Sequence, residues 1–136
     1  MGLPFLANIP FVHVLGFELL RFEGGESEMR YAPKAEHLNS FDVVHGGASM
    51  TLLDVSMATA ARSVAPGMGV VTIEMKTTFM RAARGVLVAK GRLIHRTRTM
   101  AFAESRIYDS DDQLCTHATG TFRYVPQAPE KPIATD

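Results

Sequence analysis

Between Val43 and Ala61 the chain carries only two ionisable residues, His45 and Asp54, and everything else there is small or apolar or bears only a hydroxyl. Gly46-Gly47 opens the stretch and Pro66-Gly67 closes it, so the spacing predicts a helix from Gly46 to about Ser63. At ~1.5 Å per residue it is roughly 27 Å long. A helix this apolar on nearly every side has to be buried, and the surrounding sequence supplies a sheet to bury it.

Before the helix, Phe17 to Tyr31 reads as two short strands around Glu23-Gly24-Gly25-Glu26, with Phe17 and Leu19 alternating on one arm and Met29 and Tyr31 on the other. Pro33 to Val44 turns polar and aperiodic, as a loop does. After the helix the period changes to two. A strand from Gly69 to Met80 puts Val71, Ile73, Met75 and Phe79 on one face, and Thr72, Glu74, Lys76 and Thr78 on the other. Three more strands, Gly85 to Arg96, Thr99 to Tyr108 and Gln113 to Val125, follow through short polar turns such as Asp109-Ser110-Asp111-Asp112, which makes neighbours in sequence antiparallel. The expected class is α+β, one antiparallel sheet curled about one central helix. Residues 1–126 form a single domain, and the Pro-rich residues 127–136 read as a disordered tail.

Charge narrows the partners. Fourteen Lys plus Arg balance fourteen Asp plus Glu, so no global field attracts nucleic acid or an anionic membrane. The single Cys115 excludes an internal disulfide framework, and no Cys/His spacing matches a metal site. The apolar N-terminus lacks a basic leading region and is broken by Pro4 and Pro10. Glu18 and Arg21 cut the one long apolar run, so a soluble, cytoplasmic protein is expected.

Asp54 has only Met50, Thr51, Met57 and Ala58 three and four residues away on its helix, and none can pair with a carboxylate. Such a group needs a distant partner, water or a catalytic purpose. His45-Gly46-Gly47 stands where the first helical N–H groups have no intrahelical acceptor, and glycine lets a ligand approach that backbone closely. A carbonyl placed there is polarised, and an oxyanion is stabilised. The plainer reading is that the glycines simply open a helix against a tight sheet. Eight residues separate Gly46 from Asp54, about 12 Å along the axis, so the two cannot serve one reacting group from the same helix. If both act, two copies must meet about a two-fold axis.

The stretch HLNSFDVVHGGASMTLLDVSMATAA, followed by VVTIEMKTTFMRAA, resembles the hotdog-fold acyl-CoA thioesterases, in particular the PaaI-like (phenylacetate-type) subfamily of the 4-hydroxybenzoyl-CoA thioesterase superfamily. The resemblance runs from about Pro10 to Val125 and rests on Asn39, His45-Gly46-Gly47 and Asp54 at their spacings. It implies a hotdog fold that hydrolyses an acyl-CoA to free acid and CoA, as a homodimer or homotetramer, with no cofactor beyond the coenzyme A of the substrate and no metal. Asp54 would be general base or nucleophile, and the Gly46 N–H of the other subunit would polarise the thioester carbonyl. Asn39 would hold water or thioester, His45 would lie beside the reacting group, and Thr72 would position the water. Asp42 departs from the pattern, because many relatives carry Gly there.

Lys76 to Arg98 contains seven basic residues and no acid. Some of them, with Arg81, Arg84 and Arg98 foremost and Gly47 beside them, are candidates to hold the phosphates of CoA. A solvated strand face is the plainer account of the same charges. The competing function is a non-catalytic acyl-CoA or acyl-carrier binding module, against which Asp54 argues. A dehydratase would need an Asp and His acting together, and His45 lies nine residues from Asp54. His13, His37, His95, His117 and Cys115 show no ligand or nucleophile spacing.

Overall fold

The computed structural model describes residues 2–5 and 7–127. The tail read for residues 127–136 lies outside them apart from Gln127. Its elements in chain order are α1 (Pro10–Leu15), β1 (Glu18–Glu23), β2 (Glu26–Tyr31), a 3-10 turn (Ala35–His37), α2 (Gly46–Arg62), β3 (Met68–Phe79), β4 (Leu87–Arg96), β5 (Met100–Tyr108) and β6 (Leu114–Pro126). One six-stranded sheet runs in the order β1-β2-β4-β5-β6-β3, with every neighbouring pair antiparallel. The long helix α2 lies against it and touches all six strands. This is the hotdog architecture.

The hairpin forms as its sequence dictates. Gly24 and Gly25 sit at φ 61° and 83°, the two positive angles that a two-residue turn of type I′ requires, and Phe17, Leu19, Met29 and Tyr31 all point into the core. Pro10, which had seemed to interrupt the N-terminal segment, instead begins α1, and Gly16 ends it in the left-handed conformation with its N–H on the Val12 carbonyl.

Two expectations are corrected. β3 does not pair with β4, although they are consecutive; it forms the sheet edge beside β6, and the 80–86 link returns the chain past two strands to β4. Seven residues reach about 23 Å, ample for three strand spacings of ~4.8 Å, so the short link is compatible with the crossover. The face assignment along β3 also changes. A bulge between Thr72 and Glu74 shifts the register at Ile73, so Thr72 joins Met75 and Phe79 on the face toward the helix.

Helix and sheet approach unusually closely. A Cβ on Gly91 of β4 would stand 2.4 Å from the Ser56 carbonyl oxygen and 2.6 Å from Ser27 Oγ. Three contacts fasten the same seam: Ser27 Oγ donates to the Ser56 carbonyl at 2.6 Å, Ser56 shares a hydrogen bond with Ser105 at 2.6 Å, and Tyr124 OH donates to the Ala61 carbonyl at 2.7 Å. The helix is not covered all round, however. Gly47, Met50, Thr51, Asp54 and Ala58 form one stripe that the sheet leaves open.

Gly91→Ala should therefore force the helix off the sheet and cost about 1–3 kcal/mol. Thermal melts should show Tm falling by on the order of 5–10 °C. An unchanged Tm would contradict so close a contact.

Candidate active site on the open stripe of the helix

Asp54 sits at the middle of that stripe, half-buried, and its partner comes from β3: Thr72 Oγ1 donates to Asp54 Oδ1 at 2.6 Å. The bulge at Ile73 makes this contact possible, since a strand in unbroken alternation with Met75 and Phe79 would turn Thr72 away. Burial pushes the Asp54 carboxyl above its ordinary value, and the Thr72 hydrogen bond offsets part of that rise. Oδ2 has no protein donor among the described residues. Beside the pair opens a cleft of about 410 Å³, lined chiefly by apolar side chains.

The start of α2 forms a second, separate cleft of about 450 Å³, which Asn39, Gly46 and Arg81 line. His45 is the N-cap, and its Nδ1 accepts the Gly47 N–H at 2.8 Å. The ring nitrogen bonded this way carries no proton. Ala48 and Ser49 both donate to the His45 carbonyl. Gly46 is left as the first-turn amide with no acceptor among the described residues. The His45 ring thus occupies the Gly47 amide and singles out Gly46.

Asn39 is partly committed to its own loop. Its Oδ1 accepts the N–H groups of Phe41 at 2.8 Å and Val43 at 3.3 Å, so only the Nδ2 amide remains to face a ligand. Those bonds wrap the turn in which Asp42 adopts φ 59°, the left-handed conformation that glycine enters freely and aspartate tolerates better than most residues. The departure at Asp42 therefore keeps the loop's shape.

Of the basic candidates, Arg81 and Arg84 line one surface depression near the second cleft, together with Asp109 and Asp111. Arg81 also donates to Gln113 Oε1 at 3.1 Å. Arg98 lies in the turn between β4 and β5, at the opposite end of the sheet, and shares no cleft with those two. Several other basic residues serve the fold: Arg96 lies 4.6 Å over the Tyr124 ring, Lys90 5.4 Å over Tyr108, and Arg92 pairs with Glu104.

Within one chain, then, Asp54 and Thr72 come together, and Asn39, Gly46 and His45 come together, but the two groups stand in different clefts. The remaining histidines have local roles or none. His37 is buried and hydrogen-bonded through Nδ1 to Tyr31 OH at 2.7 Å, while burial pushes the Tyr31 hydroxyl up to about 12. His95 stacks on Phe102, and His13 is exposed on α1. The pairing of Glu104 with Arg92, Arg106 and His117 was not anticipated, because it spans three strands. Burial alone would raise the Glu104 carboxyl, but these partners hold it below its ordinary value. Cys115 is buried, and burial and Asp109 raise its thiol. No group of three or more His, Cys, Asp or Glu suited to a metal occurs among the described residues, and no helix among them is long and apolar enough to cross a membrane.

A fold with one helix against a curled antiparallel sheet, carrying an acid at mid-helix and an open amide at its start, defines a class. The chain belongs to the thioesterase superfamily, whose family model matches residues 41–116, more than half of the chain. Among curated proteins it is similar to one from Archaeoglobus fulgidus, provisionally named an esterase, at 29% identity over 84% of this chain and 74% of the relative. A second, from Saccharolobus solfataricus and provisionally named likewise, is 27% identical over 79% of this chain and 78% of its own. Among solved structures, a conserved protein from Pseudomonas aeruginosa superposes with TM-score 0.82 at 28% identity, covering 87% of this chain and 95% of that one. The PaaI protein of the E. coli phenylacetic acid degradation operon superposes with TM-score 0.81 at 20% identity, covering 87% and 86%, a likeness of fold.

The direction of the Asp54 shift has a stability consequence. Its folded-state carboxyl lies above the unfolded one, so ionising it disfavours the folded state. The loss begins as pH rises past the ordinary value of 3.8 and is complete above the folded value. Asp54→Asn should raise Tm at neutral pH, by an amount that shrinks toward zero as pH falls to about 3.8. Paired melts across that range read this out, and a variant less stable than wild type at neutral pH would contradict it.

Proposed function

We propose that the protein is an acyl-CoA thioesterase of the PaaI-like kind, hydrolysing an acyl-CoA to free acid and CoA in sites shared between two copies of the chain. The observation that carries this reading is the division of the site: Asp54 with Thr72 in one cleft, and the unpaired Gly46 amide with Asn39 in another, about 12 Å along the same helix. The sheet edge offers the means of joining them. Among the described residues β3 pairs on only one side, and the strand with the residue after it exposes Val71 (46%), Ile73 (56%), Phe79 (52%) and Met80 (49%). A two-fold pairing there covers that apolar surface and brings each helix start toward the partner's Asp54.

The chemistry follows from the donors and acceptors in place. Thr72 holds Oδ1 of Asp54, leaving Oδ2 to take a proton from water. Burial, by raising the carboxyl, makes it a stronger base than an exposed aspartate. The water oxygen attacks the thioester carbon, and the developing oxyanion takes its hydrogen bond from the partner's open helix start, the Gly46 amide of the second copy. One such donor contributes on the order of 10²–10³ in rate. The carbon–sulfur bond then breaks, and the proton held by Asp54 passes to the CoA thiolate. As a nucleophile instead, Asp54 would bond to the acyl carbon as the CoA thiolate leaves, giving a mixed anhydride that water then hydrolyses to the free acid, restoring the carboxylate and supplying the proton that the thiolate takes up. Asn39 presents its Nδ2 amide to the thioester or water, while His45 fixes the helix start through the Gly47 N–H. Arg81 lines the Gly46 cleft and Arg84 the depression next to it, so these two are placed to hold the coenzyme phosphates, while Arg98 stands at the other end of the sheet. Residues 1–126 act as one domain in a cytoplasmic homodimer or homotetramer, with no cofactor apart from the substrate's own CoA.

Thiol release from phenylacetyl-, hydroxybenzoyl-, short- and medium-chain acyl-CoA tests the reading. Wild type should release CoA, and Asp54→Ala and Asp54→Asn should lose about 10²–10⁴ in kcat while remaining folded. Binding of the esters without release, or variants as active as wild type, would favour a binding module instead.

A further inference from the structure

The loop that carries Asn39 is closed at its base by two histidines. His45 donates its backbone N–H to the His37 carbonyl at 2.9 Å, Leu38 and Val44 bridge one step further in, and Asn39 donates to the Val43 carbonyl at 2.8 Å. His45 is also the N-cap of α2, so whatever fixes His37 fixes the start of the helix, one residue from the Gly46 amide. What fixes His37 is the sheet. Tyr31, the last residue of β2 and fully buried, donates its hydroxyl to Nδ1 of His37 at 2.7 Å, and the Lys34 N–H reaches the same nitrogen at 3.2 Å. A ring nitrogen that accepts the Lys34 N–H carries no proton, which makes the tyrosine the donor. The Tyr31 ring stacks on His37 at 5.7 Å between centroids and meets Phe17 edge-on at 4.9 Å, so packed neighbours aim the hydroxyl. Contacts thus run unbroken from the sheet through Tyr31, His37 and His45 to the first turn of α2, where Gly47 donates to the His45 ring and Gly46 is left open.

We infer that Tyr31 and His37 are positioning residues for the reaction: acting through the His45 backbone, they hold the Gly46 amide in the direction from which it meets the oxyanion in the partner's site. The inference rests on the thioesterase reading in giving that amide its role. Tyr31 lies in the core of its own chain, so it acts at a distance and through its neighbours. A hydrogen bond weakens steeply as its angle closes, and a donor fixed in advance contributes because it need not reorient as charge develops. The neutral thioester carbonyl makes less demand on that direction than the oxyanion does. The Tyr31 hydroxyl therefore counts for more in the rate of the bound substrate than in its binding.

Thiol release, thermal melts and amide hydrogen exchange of Tyr31→Phe, His37→Leu, His37→Asn and the double variant Tyr31→Phe/His37→Leu test this. Leucine fills the space of the ring without an acceptor, whereas asparagine puts an oxygen near the place of Nδ1. The double variant removes donor and acceptor together, and the exposed Lys34 can turn its N–H to water, so its Tm should stay within about 3 °C of wild type. Tyr31→Phe, His37→Leu and the double variant should each lose about tenfold in kcat and in kcat/KM alike, as when an interaction made only in the transition state is weakened. His37→Asn should stay within about threefold of wild type. In the three slow variants the His45 and Gly47 amides should exchange about tenfold faster. A kcat that merely follows Tm across the set, or His37→Asn as slow as His37→Leu at equal Tm, would reduce the pair to packing and overturn the inference. If wild type releases no thiol, the thioesterase reading fails and exchange alone decides. Faster His45 and Gly47 exchange in the double variant then supports the hold on the helix start, and unchanged exchange overturns it.

Discussion

The distance between α2 and the sheet governs both the packing of this molecule and the setting of Asp54. Where Gly91 meets the Ser56 carbonyl, no side-chain atom separates strand from helix, and the hydroxyls of Ser27, Ser105 and Tyr124 fasten the two along the seam. A helix held so tightly surrenders nearly all its surface to the core. What remains is the narrow stripe bearing Asp54, whose carboxylate is desolvated by the same packing that fixes its position. The bulge in β3 then turns one hydroxyl, Thr72, toward it.

Much of this was legible in the residues. A run with two ionisable groups, opened by a glycine pair and closed by Pro66-Gly67, left little choice but a buried helix, and alternation gave the strands around it. What alternation could not give was partnership. Ile73 continues the alternation of Val71 and Met75, two residues away on either side, so nothing local marks the bulge, and Thr72 reads as facing away from the helix. The placement of β3 at the edge is equally hidden, because strand order depends on contacts far apart in sequence. Pro10 looked like an interruption only because its neighbours are apolar throughout; a missing N–H is harmless at the first position of a helix.

The site residues divide in the same way. Asp54, Gly46 and His45 could be found from one helix and its ends. The commitment of Asn39 Oδ1 to its loop, and of the Gly47 amide to the His45 ring, appears only in three dimensions. Arg98 was grouped with Arg81 and Arg84 by charge run, whereas β4 carries it to the other end of the sheet. Asp42 stands where many relatives carry Gly, and only its backbone angle shows that the glycine-like conformation is retained.

The central claim is that each active site takes its acid from one chain and its amide donor from another. Gly46→Pro removes that N–H at a helix position where proline is favoured, and His45 already has φ −59° and ψ 137°, the extended conformation that must precede proline. Chains bearing Gly46→Pro and chains bearing Asp54→Asn should each be inactive alone. Co-expressed in equal amounts, they form mixed dimers that each regain one intact site, so about a quarter of wild-type thiol release should return. A mixture as inactive as its parents, with the mixed dimer demonstrably present, would contradict the shared site.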